Sequence, residues 1–345
     1  QYGSWTISIS PTEIPSDTST SVLTAVAIDT VGNRSQSANL SFVIDSIAPN
    51  LSINAVGSAD GILSTASGYQ QVSGTAEPLQ DLTLWVGRSS YPTPILLAST
   101  KSDARGVFNL TLSLDDLKLI GDGNSHYLFV TQSDLAGNIS VSPYFPCSVD
   151  LTSPLLTIST LGGKDLIISS QVDDASVSGT AEPGLPLIIS VTGSFGTRKL
   201  GVITPDNTGS FVYYFNSADL AALGQGNDFI LRLQQTDHAG NNSTVNVAFS
   251  IDTISPSAPV IIAAGGLDKI ISSSSLDRRI EGLAEPNDFV SFALFDVNGK
   301  ISDLGSTYVD LNGTFYYDLG DMVVSKLPQG SGFQILATTR DTAGN

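Results

Sequence analysis

At 345 residues the chain exceeds one ordinary domain, and a make-up of 41% hydrophobic and 14% charged residues, rich in Ser, Thr and Gly, excludes disorder and favours a β-rich fold. Its 33 acids against 15 basic residues give a formal charge of −18, which repels nucleic-acid phosphates and anionic lipid surfaces and leaves divalent cations as natural counter-partners. A single cysteine, Cys147, precludes an intramolecular disulfide, and no apolar run approaches the roughly 18 residues of a membrane span. No nucleic acid and no direct membrane insertion are therefore expected. The lone cysteine suits either an intracellular protein or a bacterial exported one stabilised by other means.

The chain opens on QYGSWTISI, which matches the middle of a unit that recurs downstream, so it reads as a fragment of something longer. The recurring unit is marked by DTVGN at 29–33, DLAGN at 134–138, DHAGN at 237–241 and DTAGN at 341–345, spaced 105, 103 and 104 residues apart. Four other landmarks keep the same register. Asp-x-x-x-Pro begins at Asp45, Asp150 and Asp252; Ala-Glu-Pro is centred on Glu77, Glu182 and Glu285; Asp-x-x-Gly-x-Phe begins at Asp103, Asp206 and Asp310. A lone acid before an aliphatic pair and a Ser recurs at Asp60, Asp165 and Asp268. These edges predict the back half of a truncated domain over 1–45, complete domains over 46–150 and 151–252, and a domain lacking its last strand over 253–345.

Within 46–150, period-two alternation broken by turn residues predicts seven strands, at 51–56, 69–75, 82–87, 95–100, 107–113, 126–132 and 139–149. Seven short strands in about a hundred residues make an all-β array of tandem immunoglobulin-like sandwiches. Between the fifth and sixth strands, SLDDLKLIG, SADLAALG and LGDMVVSKL predict a short helix with an Asp or Ser cap. The seventh strand runs into Asp-x-x-x-Pro with no Gly/Ser spacer, and proline stiffens the exit, so neighbouring domains are expected to touch.

Antiparallel strand order puts the linker acid, the second-to-third loop, the fourth-to-fifth loop and the sixth-to-seventh loop at one pole. Asp45, Glu77, Asp103 and Asp134 are thus expected together, as are Asp150, Glu182, Asp206 and Asp237, and Asp252, Glu285, Asp310 and Asp341. Four carboxylates in a small volume repel unless a cation joins them. Calcium suits them best, because it takes six to eight oxygens in flexible geometry; magnesium demands a stricter octahedron, and no His or Cys set suits zinc. Each motif alone is also ordinary turn chemistry. At the other pole Asp60, Asp165 and Asp268 are placed in the turn between the first two strands, near Asp116, Asp219 and Asp321, where either a second calcium or helix capping accounts for the acids.

Catalysis finds little support. His126 and His238 have no counterparts in the other repeats, and no nucleophile elbow, phosphate-cradling loop or redox Cys pair is present. In the third strand, offsets four, six and eight from the Ala-Glu-Pro proline hold apolar residues in all three repeats, whereas offset seven holds Trp85, Ser190 and Ala293. Trp85 is accordingly expected to face outward, where with Tyr91 it offers a contact surface for a sugar or receptor, or is simply a lone exposed aromatic.

Together the motifs ID-x-x-x-P, GTAEP, G-x-F and D-x-AGN at this period resemble the bacterial immunoglobulin-like repeats of giant type I-secreted adhesins, over essentially the whole chain, with GLAEP replacing GTAEP at 282–286. The resemblance implies a calcium-stiffened rod outside the cell, displayed on the bacterial surface, exported unfolded through a channel, and extending a tip towards host epithelial surfaces, often through glycans. It implies Ca2+ as the bound ion, carried by the linker and loop acids named above, and neighbouring repeats as partners. A structural spacer, a glycan- or receptor-binding module and an accessory array of a surface enzyme all remain open at this point.

Overall fold

A computed structural model describes residues 3–10, 18–88, 91–171, 173–266, 268–275 and 277–345; the side chains of Thr18, Ser19, Tyr91, Pro92 and Ile301 lie outside the described set. The chain divides into two compact units, one of residues 1–152 with 238–241, the other of 153–237 with 242–345.

The first unit holds an antiparallel pair, Thr18–Ala25 with Ala38–Ile44, followed by a sandwich. One sheet of that sandwich joins Ser52–Val56, Gln71–Thr75 and Val107–Thr111. The other joins Ile62–Leu63, Phe145–Val149, Gly123–Ser133, Asp81–Arg88 and Tyr91–Lys101 in that order, with Ile139–Val141 also paired to Gly123–Ser133. The fourth predicted strand therefore pairs with the third, not with the fifth. Leu82, Leu84 and Val86 are 1% exposed while Trp85 between them is half-buried, so alternation aims the apolar set inward as expected.

The second unit repeats this plan twice. Thr157–Leu161, Ser176–Thr180 and Ser210–Tyr214 face a five-stranded sheet built from Ile167–Ile168, Asn242–Ile251, Gly226–Thr236, Leu187–Gly193 and Gly196–Ile203. Val260–Ala264, Arg279–Leu283 and Thr314–Asp318 form the next three-stranded sheet, and Gly299–Tyr308, Phe289–Asp296 and Gln334–Arg340 its companion. Each sandwich has its own buried cluster, so each is a core in its own right. Two facing sheets of this strand order are immunoglobulin-like sandwiches.

The glycine of GTAEP now has a physical reason. Gly74, Gly179 and Gly282 stand directly opposite Phe108, Phe211 and Phe315 across the middle of the three-stranded sheet. A Cβ at any of them would collide with the phenylalanine ring and with the carbonyl oxygen of Ser52, Thr157 or Val260 on the first strand. The ring of G-x-F lies where that Cβ would be, and the two motifs are one packing unit.

Three sequence expectations need correction. The fifth strand ends at Thr111, because Ser113 caps the helix Leu114–Ile120: its hydroxyl accepts from the Asp116 amide while Asp116 accepts from the Ser113 amide. In the next sandwich Asn216, neither Asp nor Ser, caps Ser217–Leu223, and Asp219 reciprocates. The third helix, Gly320–Val324, has no side-chain cap, and its Asp321 instead pairs with the Arg278 guanidinium. The expected seventh strand is broken after Val141, since Pro143 cannot donate to the ladder and the Ser142 hydroxyl takes the Val130 amide. Its counterpart Asn242–Ile251 has no such proline and runs unbroken.

His126 lies 8% exposed in the sixth strand, where the other repeats hold Phe229 and Phe333. No hydrogen bond of normal geometry satisfies either ring nitrogen. Burial, and then the neighbouring Arg88 guanidinium, hold its pKa below the ordinary 6.5, with a weaker opposing pull from the Gly121 backbone. A lowered base favours folding in its neutral form, so its contribution is intact above about pH 6.5 and is lost as pH falls towards the folded value. His126→Phe is therefore expected to raise the melting temperature of this sandwich, and more at pH 5 than at pH 8. Equal gains at both pH values in thermal melts would show that His126 does not titrate on unfolding.

Candidate metal centre

The Asp-x-x-Gly motif folds in every sandwich as a turn that its own carboxylate closes. Asp103 Oδ1 accepts from the amides of Arg105 and Val107, both at 2.8 Å; Asp206 Oδ1 accepts from Thr208 and Ser210 at 2.8 and 3.0 Å, and Asp310 Oδ1 from Asn312 and Thr314, both at 2.9 Å. These bonds to the ionised form hold all three acids below the usual carboxylate range: the Val107 amide is the main cause at Asp103, the Thr208 hydroxyl at Asp206 and the Thr314 hydroxyl at Asp310. Their contribution is present above about pH 4 and is lost as pH falls through the lowered values.

Backbone bonds then tie the loops of one pole to each other. Ala76 donates its amide to Gly106 at 2.8 Å, and Ala181 and Ala284 do the same to Gly209 and Gly313, so Ala-Glu-Pro lies against the Asp-x-x-Gly turn in all three sandwiches. Gly106 has φ 77° there, and a Cβ would strike the Ala76 carbonyl oxygen. Gln132 accepts from the Glu77 amide at 2.9 Å and Gln235 from the Glu182 amide at 2.9 Å, fastening the same loop to the sixth strand.

The hairpin DLAGN answers to its last residue as much as to its first. Asp134 Oδ1 accepts the Asn138 amide and Oδ2 the Asn138 side chain, each at 2.8 Å, and this side-chain bond is the main reason its pKa is depressed. The same Asn138 Nδ2 donates to the Asp45 carbonyl oxygen at 3.1 Å. Asn345 repeats both contacts, to Asp341 and to the Asp252 carbonyl oxygen at 2.9 Å, and Asn241 donates to the Asp150 carbonyl oxygen at 3.0 Å. The linker acids themselves close short turns, Asp45 to Ile47, Asp150 to Thr152 and Asp252 to Ile254. In the first unit Asp45 and Asp134 are thus bridged by one amide. In the second, Asp252 and Asp341 are. Asp150 and Asn241 belong to the first unit, and Glu182, Asp206 and Asp237 to the second.

Sequence reasoning missed these asparagines, although every copy of the pentapeptide ends in one. It also missed Asp288, which breaks the repeat: Gln80 and Leu185 stand at that position elsewhere. Asp288 is 3% exposed, its Oδ2 has no hydrogen-bond partner, and burial raises its pKa, followed by the charges of Glu285 and Asp341. Glu285 turns towards the linker, accepting from the Ser257 amide at 2.8 Å. As placed, no three His, Cys, Asp or Glu side chains among the described residues enclose an ion. The donor set is nonetheless all oxygen, and the orphaned buried oxygen of Asp288 beside two more carboxylates fits a hard cation such as calcium.

The lower acids lie between the first two strands of each sandwich, where the sequence places them. Asp60, Asp165 and Asp268 sit at the bend where the first strand leaves its sheet, and each accepts the amide two residues on, Ile62, Ile167 or Ile270, at 2.9 to 3.0 Å. After the bends at Asp60 and Asp165, Ile62–Leu63 and Ile167–Ile168 pair parallel to the seventh strand of the opposite sheet. Bend chemistry accounts for the recurrence of the acid. Asp165 also shares with Asp174, Arg340 and Asp341 a cleft of about 490 Å³.

Trp85 faces outward but is held by its own sandwich. Its indole N–H donates to Thr131 Oγ1 at 3.0 Å and its ring stacks on Phe129 at 6.3 Å, in a row that continues through Tyr127 and the exposed Tyr144. The Tyr91 side chain lies outside the described residues. Cys147 is buried, and burial pushes its thiol up to about 12, which leaves no thiolate near neutral pH. Among the described residues no helix is long and apolar enough to cross a membrane.

Sheets, turns and poles together define a tandem of immunoglobulin-like sandwiches with acidic loops at one end of each. No protein family and no curated protein matches the sequence. Among solved structures the chain is similar to a Ca2+-stabilized adhesin that helps an Antarctic bacterium reach out and bind ice, with 20% identity over 99% of this chain and 82% of that one, at a TM-score of 0.39. It is also similar to a 1.5-MDa bacterial ice-binding adhesin studied for host cell surface retention, with 18% identity over 87% of this chain and 95% of that one, at a TM-score of 0.33. Domains A168–A170 of titin give 11% identity over 87% and 95%, at a TM-score of 0.31. Likenesses so distant carry no inference about activity.

Proposed function

We propose that the chain is a calcium-rigidified rod segment of a bacterial cell-surface adhesin, secreted by a type I route, that extends a binding tip towards host epithelial cells. Its partners are then the neighbouring repeats of the same protein, and it is not an enzyme. One observation carries the reading: in all three linkers an asparagine side chain from a DxAGN hairpin grips the linker-aspartate carbonyl, so each linker is tied to an acidic loop. A cation shared by linker and loop carboxylates would fix the linker direction, with Asp45, Glu77, Asp103 and Asp134 holding it in the first set and Asp252, Glu285, Asp310 and Asp341 in the last. The set Asp150, Glu182, Asp206 and Asp237 is assigned by its equivalence in the repeat. Calcium titration by calorimetry tests this: saturable binding of about one or more ions per linker is expected, and no heat at millimolar calcium would refute it.

A second reading has one observation in its favour. Trp85, Tyr127 and the exposed Tyr144, packed over the buried Phe129, give the first sandwich an aromatic outer patch suited to a host glycan or receptor. Glycan-array binding that Trp85→Ala abolishes would favour this module over a pure spacer.

A further inference from the structure

Position 288 is where the third sandwich departs from its sisters. A carboxylate there is 3% exposed, while the corresponding Leu185 is a buried hydrophobe in the second sandwich and Gln80 a neutral amide in the first. Burying a charge without a partner is strongly unfavourable, and a fold retains one only where something compensates it. Within the fold the Asp288 amide donates to the Glu285 carbonyl at 3.2 Å and its own carbonyl accepts from the Val309 amide at 2.9 Å, so its backbone groups are already paired. Its Oδ2 meets no donor. The charges closest in effect are Glu285 and Asp341, both negative. Three acids act on one another here, one with a buried oxygen that meets no donor, and they lack a positive charge.

We infer that Asp288 is a divalent-cation ligand peculiar to the third sandwich, which completes with Glu285 and Asp341 the tightest cation site of the chain. The inference rests on the calcium reading above and adds a ranking to it: an additional anionic oxygen strengthens calcium affinity, so this pole fills first. The equivalent poles have no anionic group at that position and fill at higher calcium.

Calcium calorimetry on the whole chain, compared with Asp288→Leu and Asp288→Asn, tests the assignment, with thermal melts in EGTA alongside. The wild-type titration is expected to show a tight class that both variants weaken by about tenfold or more, while the weaker classes stay. In EGTA, Asp288→Leu is expected to melt higher than wild type, because a buried charge without its cation is gone. Should Asp288→Leu fail to fold, Asp288→Asn keeps the shape and still removes the charge. Unchanged titrations in folded variants would overturn the role of Asp288 and leave the linker sites standing. Absence of any calcium binding by the wild type would remove both.

Discussion

Valine at Gly179 is expected to unfold the second sandwich while the first and third stay folded. The position faces Phe211 in direct register, with ring atoms 2.9 Å from where a Cβ would stand and the Thr157 carbonyl oxygen nearer still. The carbonyl is part of the first strand's ladder and cannot retreat without breaking its pairing with Ser176–Thr180. Overpacking of this kind costs about 3 kcal/mol or more, a large share of what a domain of a hundred residues has to lose. Phe211→Ala empties a core position and costs about 3–5 kcal/mol alone, but combined with Gly179→Ala the ring clash vanishes, so the pair should fall short of additivity. Multi-phase thermal melts of the single and double variants check this. Additive losses would show that ring and glycine are not one packing unit.

Asparagine at Asp45 and Asp103 together is expected to leave the metal-free fold intact and to abolish the calcium response of the first pole. Both acids serve their turns through Oδ1 alone, accepting from amides at 2.8 to 3.2 Å, and an asparagine oxygen keeps that geometry while giving up the charge that strengthens the bonds at Asp103. What asparagine removes is the charge. An ion at a hundredfold excess over its Kd contributes about 2.7 kcal/mol to the folded state. Loss of that increment, on top of the smaller loss in EGTA that the weakened Asp103 turn itself causes, separates a cation ligand from a turn former. A calcium increment equal to wild type would make these acids turn residues only.

The strands were legible because one face of every sheet is buried and the alternation records it. Their ends were less so: Ser113 reads equally well as the last residue of a strand or the cap of a helix, and only the reciprocal bond with Asp116 decides. The turn acids were legible as acids at one end of the fold, since antiparallel order fixes that end. The grip of Asn138 on Asp45 was not, because it spans 93 residues and leaves no local pattern beyond the asparagine itself. The short strands that follow Asp60 and Asp165 were not legible for a related reason: two-residue strands such as Ile62–Leu63 are too short to show a period. Asp288 was invisible to an argument built on what the repeats share.

The central claim is that calcium stiffens the linkers, and small-angle X-ray scattering of the 345-residue chain in calcium and in excess EGTA tests it most directly. A long, narrow distance distribution in calcium that shortens and broadens on chelation is the predicted result. Superimposable curves in the two buffers would contradict it, and would leave DLAGN as a hairpin turn whose asparagine alone holds the linker.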